Sequence, residues 1–338
     1  MTKDNTINAF IKLGEFLSSF DKERMKNVNH PLEIMIKKNQ VYNAWFNPMN
    51  IRQSIIAIAK NLKADNLTKW SLEISDDILP KTVAVIMAGN IPLVGFHDFL
   101  SVLISGHNIK IKLSKDDDKL LPIIVEELIS IEPKLQNRIS FSSRNLNNFD
   151  AIIATGSNNS KTYFNSYFSS YPNIIRSNRT SVAILDGTES KADLQSLATD
   201  IFSYFGLGCR SITKLYLPEK YDLDILFEVF YSFKDVIQNT KYANNYDYNK
   251  AIYLMGKHKI IENGFLILKE DTNIHSPVSV LFYEFYDNKD DLNNHLINMR
   301  DELQCICGKD YLKFGSAQRP KLTDYADGID TLDFLCKL

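Results

Sequence analysis

Residues Thr82–Lys115, TVAVIMAGNIPLVGFHDFLSVLISGHNIKIKLSK, read as strand, turn, helix and strand. Thr82–Met87 is an unbroken apolar run, the kind buried on both faces of a parallel sheet. Gly89 turns the chain, and Pro92 suits a first helical turn because its missing N–H is not needed there. The pattern predicts an amphipathic helix over Pro92–Ser105 and a second strand over Ile109–Leu113. Strand, crossover helix and returning strand make a parallel unit whose sheet needs cover on both sides.

Outward from there the alternation continues. A helix is predicted at Leu120–Ile131, a strand at Ala151–Ala154 and a helix at Asn158–Ser170. A strand follows at Ser181–Leu185 and a helix at Ala192–Phe205. Upstream, residues from about 5 to 65 read as helices broken by polar loops. Ile51–Leu62 carries apolar residues at helical spacing, and Trp45 and Phe46 anchor either a core or a lid. Beyond Cys209, strands are predicted at Lys214–Leu217, Ile260–Leu268 and Val278–Phe285. Helices are predicted at Asp222–Ile237, Tyr248–Gly256 and Lys289–Leu303. Thr188–Lys191 is the softest stretch and the expected domain boundary.

Composition narrows the class. The 338 residues are 44% hydrophobic and 24% charged, enough for two cores. Net charge is −2 and basic residues form no long run, which argues against a nucleic-acid partner. Four irregularly spaced cysteines make no disulfide framework and fit a reducing cytoplasm. Cys305-Ile306-Cys307 lacks a second pair, so no metal is expected; the alternation suggests a strand with both thiols on one face. The polar N-terminus lacks a signal-peptide core, and no apolar run approaches a membrane span.

Four stretches carry chemistry. Phe205-Gly206-Leu207-Gly208-Cys209-Arg210-Ser211 ends a helical run in two glycines and a thiol. Backbone N–H groups beside Cys209 would favour its thiolate, a nucleophile; the plain alternative is a small packed side chain. Asn90, after a strand and a glycine turn, can donate its amide to an oxyanion or simply cap a turn. Lys112, Ser114 and Lys115 end a short strand, where lysines suit a ribose or phosphate, or keep an edge strand soluble. Thr155-Gly156-Ser157 leads from a strand into a helix, a setting for phosphate or for an ordinary N-cap. The usual dinucleotide and P-loop glycine fingerprints are absent.

In this order the segments resemble the aldehyde dehydrogenase superfamily. Ala88–Leu93 looks like its Asn-x-Pro motif, Ile111–Lys115 its Lys-Pro-Ser-Glu segment, Thr155–Ser157 its Thr-Gly-Ser motif and Ile274–Val278 its Phe-Gly-Pro-Val stretch. Met87–Gly106 and Phe314–Leu335 resemble more closely the acyl-CoA reductase family, the LuxC-type fatty-acid reductases of bacterial luminescence. The resemblance implies an α/β fold of aldehyde dehydrogenase type, with two Rossmann-like domains, a cleft between them and a helical N-terminal segment. The expected division is 1–188 for nucleotide binding, 189–316 for catalysis and 317–338 for a tail returning to the core or to an oligomer interface.

The departures shape the expected chemistry. Hydrolytic aldehyde dehydrogenases carry a water-activating Glu, whereas the corresponding Ile174–Arg179 here holds no carboxylate. Without that base an acyl-enzyme hydrolyses slowly and can take hydride or pass to CoA. Lys115 replaces a Glu that repels the 2′-phosphate of NADP, which favours NADPH over NADH. Asn273 stands near the position of a ribose-holding Glu. The resemblance therefore implies reduction of a fatty acyl-CoA, or of an acyl group handed over by an acyl-protein synthetase, through an acyl-Cys209 thioester in a cytoplasmic homo-oligomer. Other readings are a catalytically weak nucleotide-binding scaffold, and an acyltransferase that uses the same thiol without reduction. His97, His107 and His275 are candidate proton donors, and the aromatic helix with Phe227, Phe230, Tyr231 and Phe233 is either a core element or an acyl channel.

Overall fold

The computed structural model describes residues 2–21, 29–72, 74, 78–143 and 146–338. They form two compact units, Met1–Asn178 with Lys321–Leu338, and Arg179–Pro320. Among the described residues no helix is long and apolar enough to cross a membrane, and no group of three or more His, Cys, Asp or Glu could hold a metal.

The first unit begins with α1 (Lys3–Ser18), α2 (Pro31–Lys38), α3 (Pro48–Asn61) and α4 (Ala64–Trp70). Phe10, Leu13 and Leu17 of α1 recur at helical spacing and are fully buried, as is Phe46 before α3. Arg52 of α3 makes a bidentate pair with Glu33 of α2 at 2.7 and 2.8 Å and donates to the carbonyl of Phe20. The buried charges are thus neutralised in pairs, as burial demands.

Then come β1 (Thr82–Ile86), α5 (Phe96–Ile104), β2 (Asn108–Lys112), α6 (Leu120–Ile131), β3 (Ile139–Phe141), β4 (Ala151–Thr155), α7 (Asn158–Phe168) and β5 (Asn173–Arg176). The five strands are parallel in the order β3-β2-β1-β4-β5. Alternation sorts the faces: Val83 and Val85 join the core with α1, α3, α5 and α6, whereas Ala84 joins Ile152, Ala154 and Phe164 on the α7 side. Two expectations change here. The helix begins at Phe96 rather than Pro92, because Leu93 is left-handed at φ 58° and cannot continue a right-handed turn. The short strands β3 and β5 were hidden in polar or mixed sequence.

The second unit holds β6 (Thr180–Ile184), α8 (Lys191–Phe202), β7 (Ile212–Pro218), α9 (Asp224–Phe230), α10 (Thr240–Met255), β8 (Ile261–Glu262), β9 (Ile267–Glu270), β10 (Val280–Tyr286), α11 (Lys289–Asn298) and β11 (Leu303–Cys307). Its sheet runs β11-β6-β7-β10-β9-β8, parallel except for the β8–β9 pair. Leu185, Leu215, Leu217 and Leu281 face α8 and α9, whereas Val182, Ile184 and Tyr216 face α11. The unit starts at Arg179 rather than after residue 188, since β6 pairs with β7 and β11 in this sheet. The aromatic helix expected to Ile237 is α9 followed by a 3₁₀ stretch, Tyr231–Gln238. Phe230 is fully buried and Phe233 stacks on Phe202 at 5.2 Å, so these rings are core; Tyr231 is exposed. The chain then returns to the first unit at Lys321, not at 317, and ends in α12 (Thr331–Cys336), which packs on α5.

Candidate functional site

In the first unit the carboxyl ends of β1, β2 and β4 lie side by side, with Ile86 opposite both Lys112 and Ala154. Three of the sequence-derived stretches therefore share one sheet edge. The order reverses on either side of β1, and ligands of open parallel sheets gather at such a switch point. Asn90 is on the loop after β1, Lys112 ends β2 with Ser114 and Lys115 just beyond it, and Thr155 ends β4 with Gly156 and Ser157 just beyond it.

The Asn90 loop is fixed along its backbone. Leu93 N–H donates to Asp117 Oδ2 at 2.6 Å, and Ser54 Oγ donates to the carbonyl of Pro92 at 2.7 Å. A Cβ on Gly89 would sit 2.7 Å from Ser114 Oγ, so only glycine lets the β1 loop lie against the turn after β2. Asp117 is 8% exposed, and its Oδ1 has no partner among the described residues. Burial pushes its carboxyl up to about 7, against the lowering effect of the Leu93 N–H.

Lys112 is half-buried and Lys115 exposed, and neither has a carboxylate partner among the described residues. Ser114 Oγ accepts from Asp116 N–H, and Ser157 Oγ accepts from Ser160 N–H as the N-cap of α7. Both hydroxyls thus cap turns, the plainer of their two readings. A Cβ on Gly156 would meet Ser160 Cβ at 2.8 Å, so the Thr155–Ser157 turn is held close against α7.

The stretch that lacks the hydrolytic carboxylate turns inward. Arg176 Nη1 pairs with Asp98 Oδ2 at 2.6 Å and its Nη2 donates to Thr331 Oγ1 at 2.8 Å, all three residues being buried. One guanidinium thus ties β5, α5 and α12. Two histidines are structural. His97 donates from Nε2 to the carbonyl of Leu322 and packs on Trp70 and Tyr325. His107 accepts from Lys81 N–H and donates to the carbonyl of Leu335, with burial holding its pKa down. His275 is exposed in the loop before β10.

In the second unit, Cys209 follows a turn of unusual handedness. Tyr204, Phe205 and Gly206 all have positive φ, at 54°, 58° and 77°. Each non-glycine residue there costs roughly 1–2 kcal/mol, so surrounding contacts must hold the turn. Ser211 N–H donates to the carbonyl of Gly208 at 2.9 Å and closes the Gly208–Ser211 turn around a partly buried Cys209. Ser181 Oγ of β6 donates to the carbonyl of Cys209 at 2.9 Å. Gln318 Nε2 donates to Ser211 Oγ at 3.2 Å and to the carbonyl of Asp200 at 3.3 Å. Just after the turn, Thr213 Oγ1 donates to the carbonyl of Ile274 at 2.6 Å. Fully buried Lys214 reaches the carbonyl of Thr272 and the carboxylate of Glu284. These bonds fix the loop bearing Asn273 and His275 to the strand that follows Cys209.

Cys305 and Cys307 lie on β11 as expected. Cys305 Sγ is 3.1 Å from Ser181 Oγ, and a hydrogen bond from Cys307, with smaller help from Ser181 and Arg210, lowers its pKa to about 7. Buried Cys307 is raised, and its Sγ points to Asp200 at 3.8 Å.

Asp117, Ser181, Asp200, Lys214 and Gln318 escaped the sequence reading. Asp117 sits in a run of three aspartates that looks solvated. Asp200 left a signal, a carboxylate among Leu194, Leu197, Ala198 and Ile201 on the buried stripe of α8.

A family model described as acyl-CoA reductase (LuxC) matches residues 72–233, a span that includes both Asn90 and Cys209. No curated protein matches the chain. Among solved structures, aldehyde dehydrogenase 21 from Physcomitrella patens, in complex with succinate, is 14% identical at a TM-score of 0.65, over 92% of this chain and 74% of that one. The NAD+ complex of an aldehyde dehydrogenase from Bacillus cereus is 12% identical at 0.62, over 92% and 72%. The aldehyde dehydrogenase KauB from Pseudomonas aeruginosa is 12% identical at 0.63, over 92% and 73%. At such identities the structural likeness speaks for the fold, and the family model speaks for the segment that carries the two motifs. The chain thus has the aldehyde dehydrogenase fold, and its residues 72–233 are similar to the acyl-CoA reductase (LuxC) family.

Proposed function

We propose that the protein is an acyl-CoA reductase that forms an acyl-Cys209 thioester and releases an aldehyde with NADPH as reductant. The observation that carries this reading is the Cys209 turn itself, held by Ser181 and Gln318 inside the segment matched by the acyl-CoA reductase model. By the family resemblance, Cys209 thiolate attacks the thioester carbonyl, the Asn90 amide and a backbone N–H near Cys209 stabilise the oxyanion, and CoA thiolate leaves. The missing carboxylate in Ile174–Arg179, where Arg176 is committed to Asp98, leaves no general base there for water.

The cofactor reading rests on the sheet edge. Lys112 and Lys115 have no carboxylate partners among the described residues, and the ends of β2 and β4 flank β1 at the switch point of the sheet. These features fit a dinucleotide, which in the Bacillus cereus structure is NAD+. Lys112, Ser114, Lys115 and the Thr155-Gly156-Ser157 turn would hold it, and Lys115 would favour the 2′-phosphate of NADPH. Bound there, NADPH supplies the hydride that reduces the acyl group. The acyl donor is a CoA thioester or an acyl-protein partner such as an acyl-protein synthetase.

The test follows NADPH absorbance across a panel of acyl-CoA chain lengths, with aldehyde trapped as product. NADPH oxidation that depends on acyl-CoA and is lost in Cys209→Ala supports the reading. Oxidation that survives Cys209→Ala, or acyl transfer to an acceptor with no NADPH consumed, rejects it.

A further inference from the structure

We infer that Asp200 is a positioning residue for Cys209, acting through the Phe314–Gln318 segment that it anchors to the back of the Cys209 turn. The inference rests on the reading of Cys209 as the reactive thiol and adds the element that holds it. Phe314–Leu335 resembles the family at the sequence level, and its first part is bound here for a reason.

The chain of contacts is continuous within the second unit. Asp200 is fully buried on α8. Its Oδ2 accepts from Gly315 N–H at 2.6 Å, and the nearby backbone of Gln318 and Ala317 favours its charged form. Gly315 has φ 81°, and a Cβ there would meet Ser196 Cβ at 3.1 Å, so the segment lies tight along α8. Ala317 is fully buried and Gln318 is 6% exposed. Gln318 Nε2 then bridges the carbonyl of Asp200 and Ser211 Oγ, and Ser211 N–H closes the turn onto Gly208. Ser181 holds the other side through the carbonyl of Cys209.

A buried carboxylate is retained on an apolar helix face only when a donor is aimed at it, and here the Gly315 N–H of the returning segment is that donor. The remaining oxygen, Oδ1, has no partner among the described residues. Cys307 Sγ on β11 faces Oδ2 at 3.8 Å, Cys305 lies next along the strand, and Arg210 acts on Cys305. Burial raises Asp200 to about 6, against the lowering effect of the Gly315, Gln318 and Ala317 backbone. The ionised carboxylate is the stronger acceptor for the Gly315 N–H, so the segment is held most tightly above pH 6.

The test measures alkylation of Cys209 by iodoacetamide in the full chain from pH 5 to 8, read by peptide mass, for wild type and Asp200→Asn. The ratio of wild-type to variant rates is expected near one at pH 5 and about five- to tenfold at pH 7.5, because small displacements of a reactive group are costly. A ratio that stays flat with pH overturns the inference. Should Asp200→Asn fail to fold, Gln318→Ala removes only the bridge to Ser211. It is expected to slow Cys209 several-fold at pH 7.5 while the exposed Cys336 alkylates at the wild-type rate; an unchanged Cys209 rate overturns the inference. Acyl-CoA enters neither assay, so failure of the reductase reading shows separately, as absent acylation in a protein whose alkylation follows this pattern.

Discussion

The Asn90 loop and the Cys209 turn each place a left-handed stretch between a helix and a strand, and each leans on a buried aspartate. The Asn90 loop has one such non-glycine residue, Leu93, held by Asp117 and Ser54, which are 24 and 38 positions away from their partners. The Cys209 turn has two, with Gly206 beside them, and its holders are Ser181 and Gln318, 28 and 107 positions from theirs. The first loop is held by the turn after β2 and by α3. The second exists only once the far end of its unit has folded back onto α8. A turn that stores more strain needs more distant support, and it is the turn with the thiol that has both.

Cutting a buried ion pair of the first unit gives the largest effect. Arg176→Met leaves the Asp98 carboxylate buried without its cation and is expected to cost about 3–5 kcal/mol in denaturant unfolding, with Arg176→Met/Asp98→Leu recovering most of it. Below the transition, Cys209 alkylation in the second unit stays at the wild-type rate. A double variant as unstable as the single one removes the pair from its structural role.

Titration separates the two aspartates next. Burial raises Asp117 to about 7, well above its ordinary value in an unfolded chain. The folded state therefore keeps a proton that the unfolded state releases, and its stabilising effect is lost as pH rises from about 4 through 7. Asp117→Asn keeps an oxygen for Leu93 N–H and abolishes that loss. Thermal or urea unfolding should find the variant more stable than wild type at pH 8 by about 2–4 kcal/mol, with the gap closing toward pH 4. Parallel stability curves across that range would show that Asp117 does not titrate in the folded protein.

The smallest expected change sits on the exposed edge. Lys115→Glu should raise KM for NADPH about tenfold and leave KM for NADH and kcat nearly unchanged, since one exposed point charge acts through screened solvent. Equal loss with both cofactors would place Lys115 elsewhere than beside the 2′-phosphate.

Legibility followed the range of the forces. Leu120–Ile131 is a helix to the residue, and Thr82–Ile86 a strand, because apolar periodicity is local. Pro92 misled because Leu93 adopts a left-handed conformation that contacts from Asp117 and Ser54 hold in place. β3 and β5 are short, and their strand identity comes from the neighbours they pair with. At the site, Asn90, Lys112, Lys115, the Thr155–Ser157 turn and Cys209 could be picked out as types in a pattern. Asp117 could not, since it stands among aspartates that look solvated, whereas Asp200 left only its place on the apolar stripe of α8.

The central claim is a covalent acyl group on one sulfur. Intact-mass measurement after incubation with acyl-CoA, in the absence of NADPH, tests it most directly. The account predicts a single added acyl mass on the wild-type chain, located on the Cys209 peptide, removed on adding NADPH and absent from Cys209→Ala. An adduct that persists in Cys209→Ala, or a wild-type chain that acquires none, contradicts it.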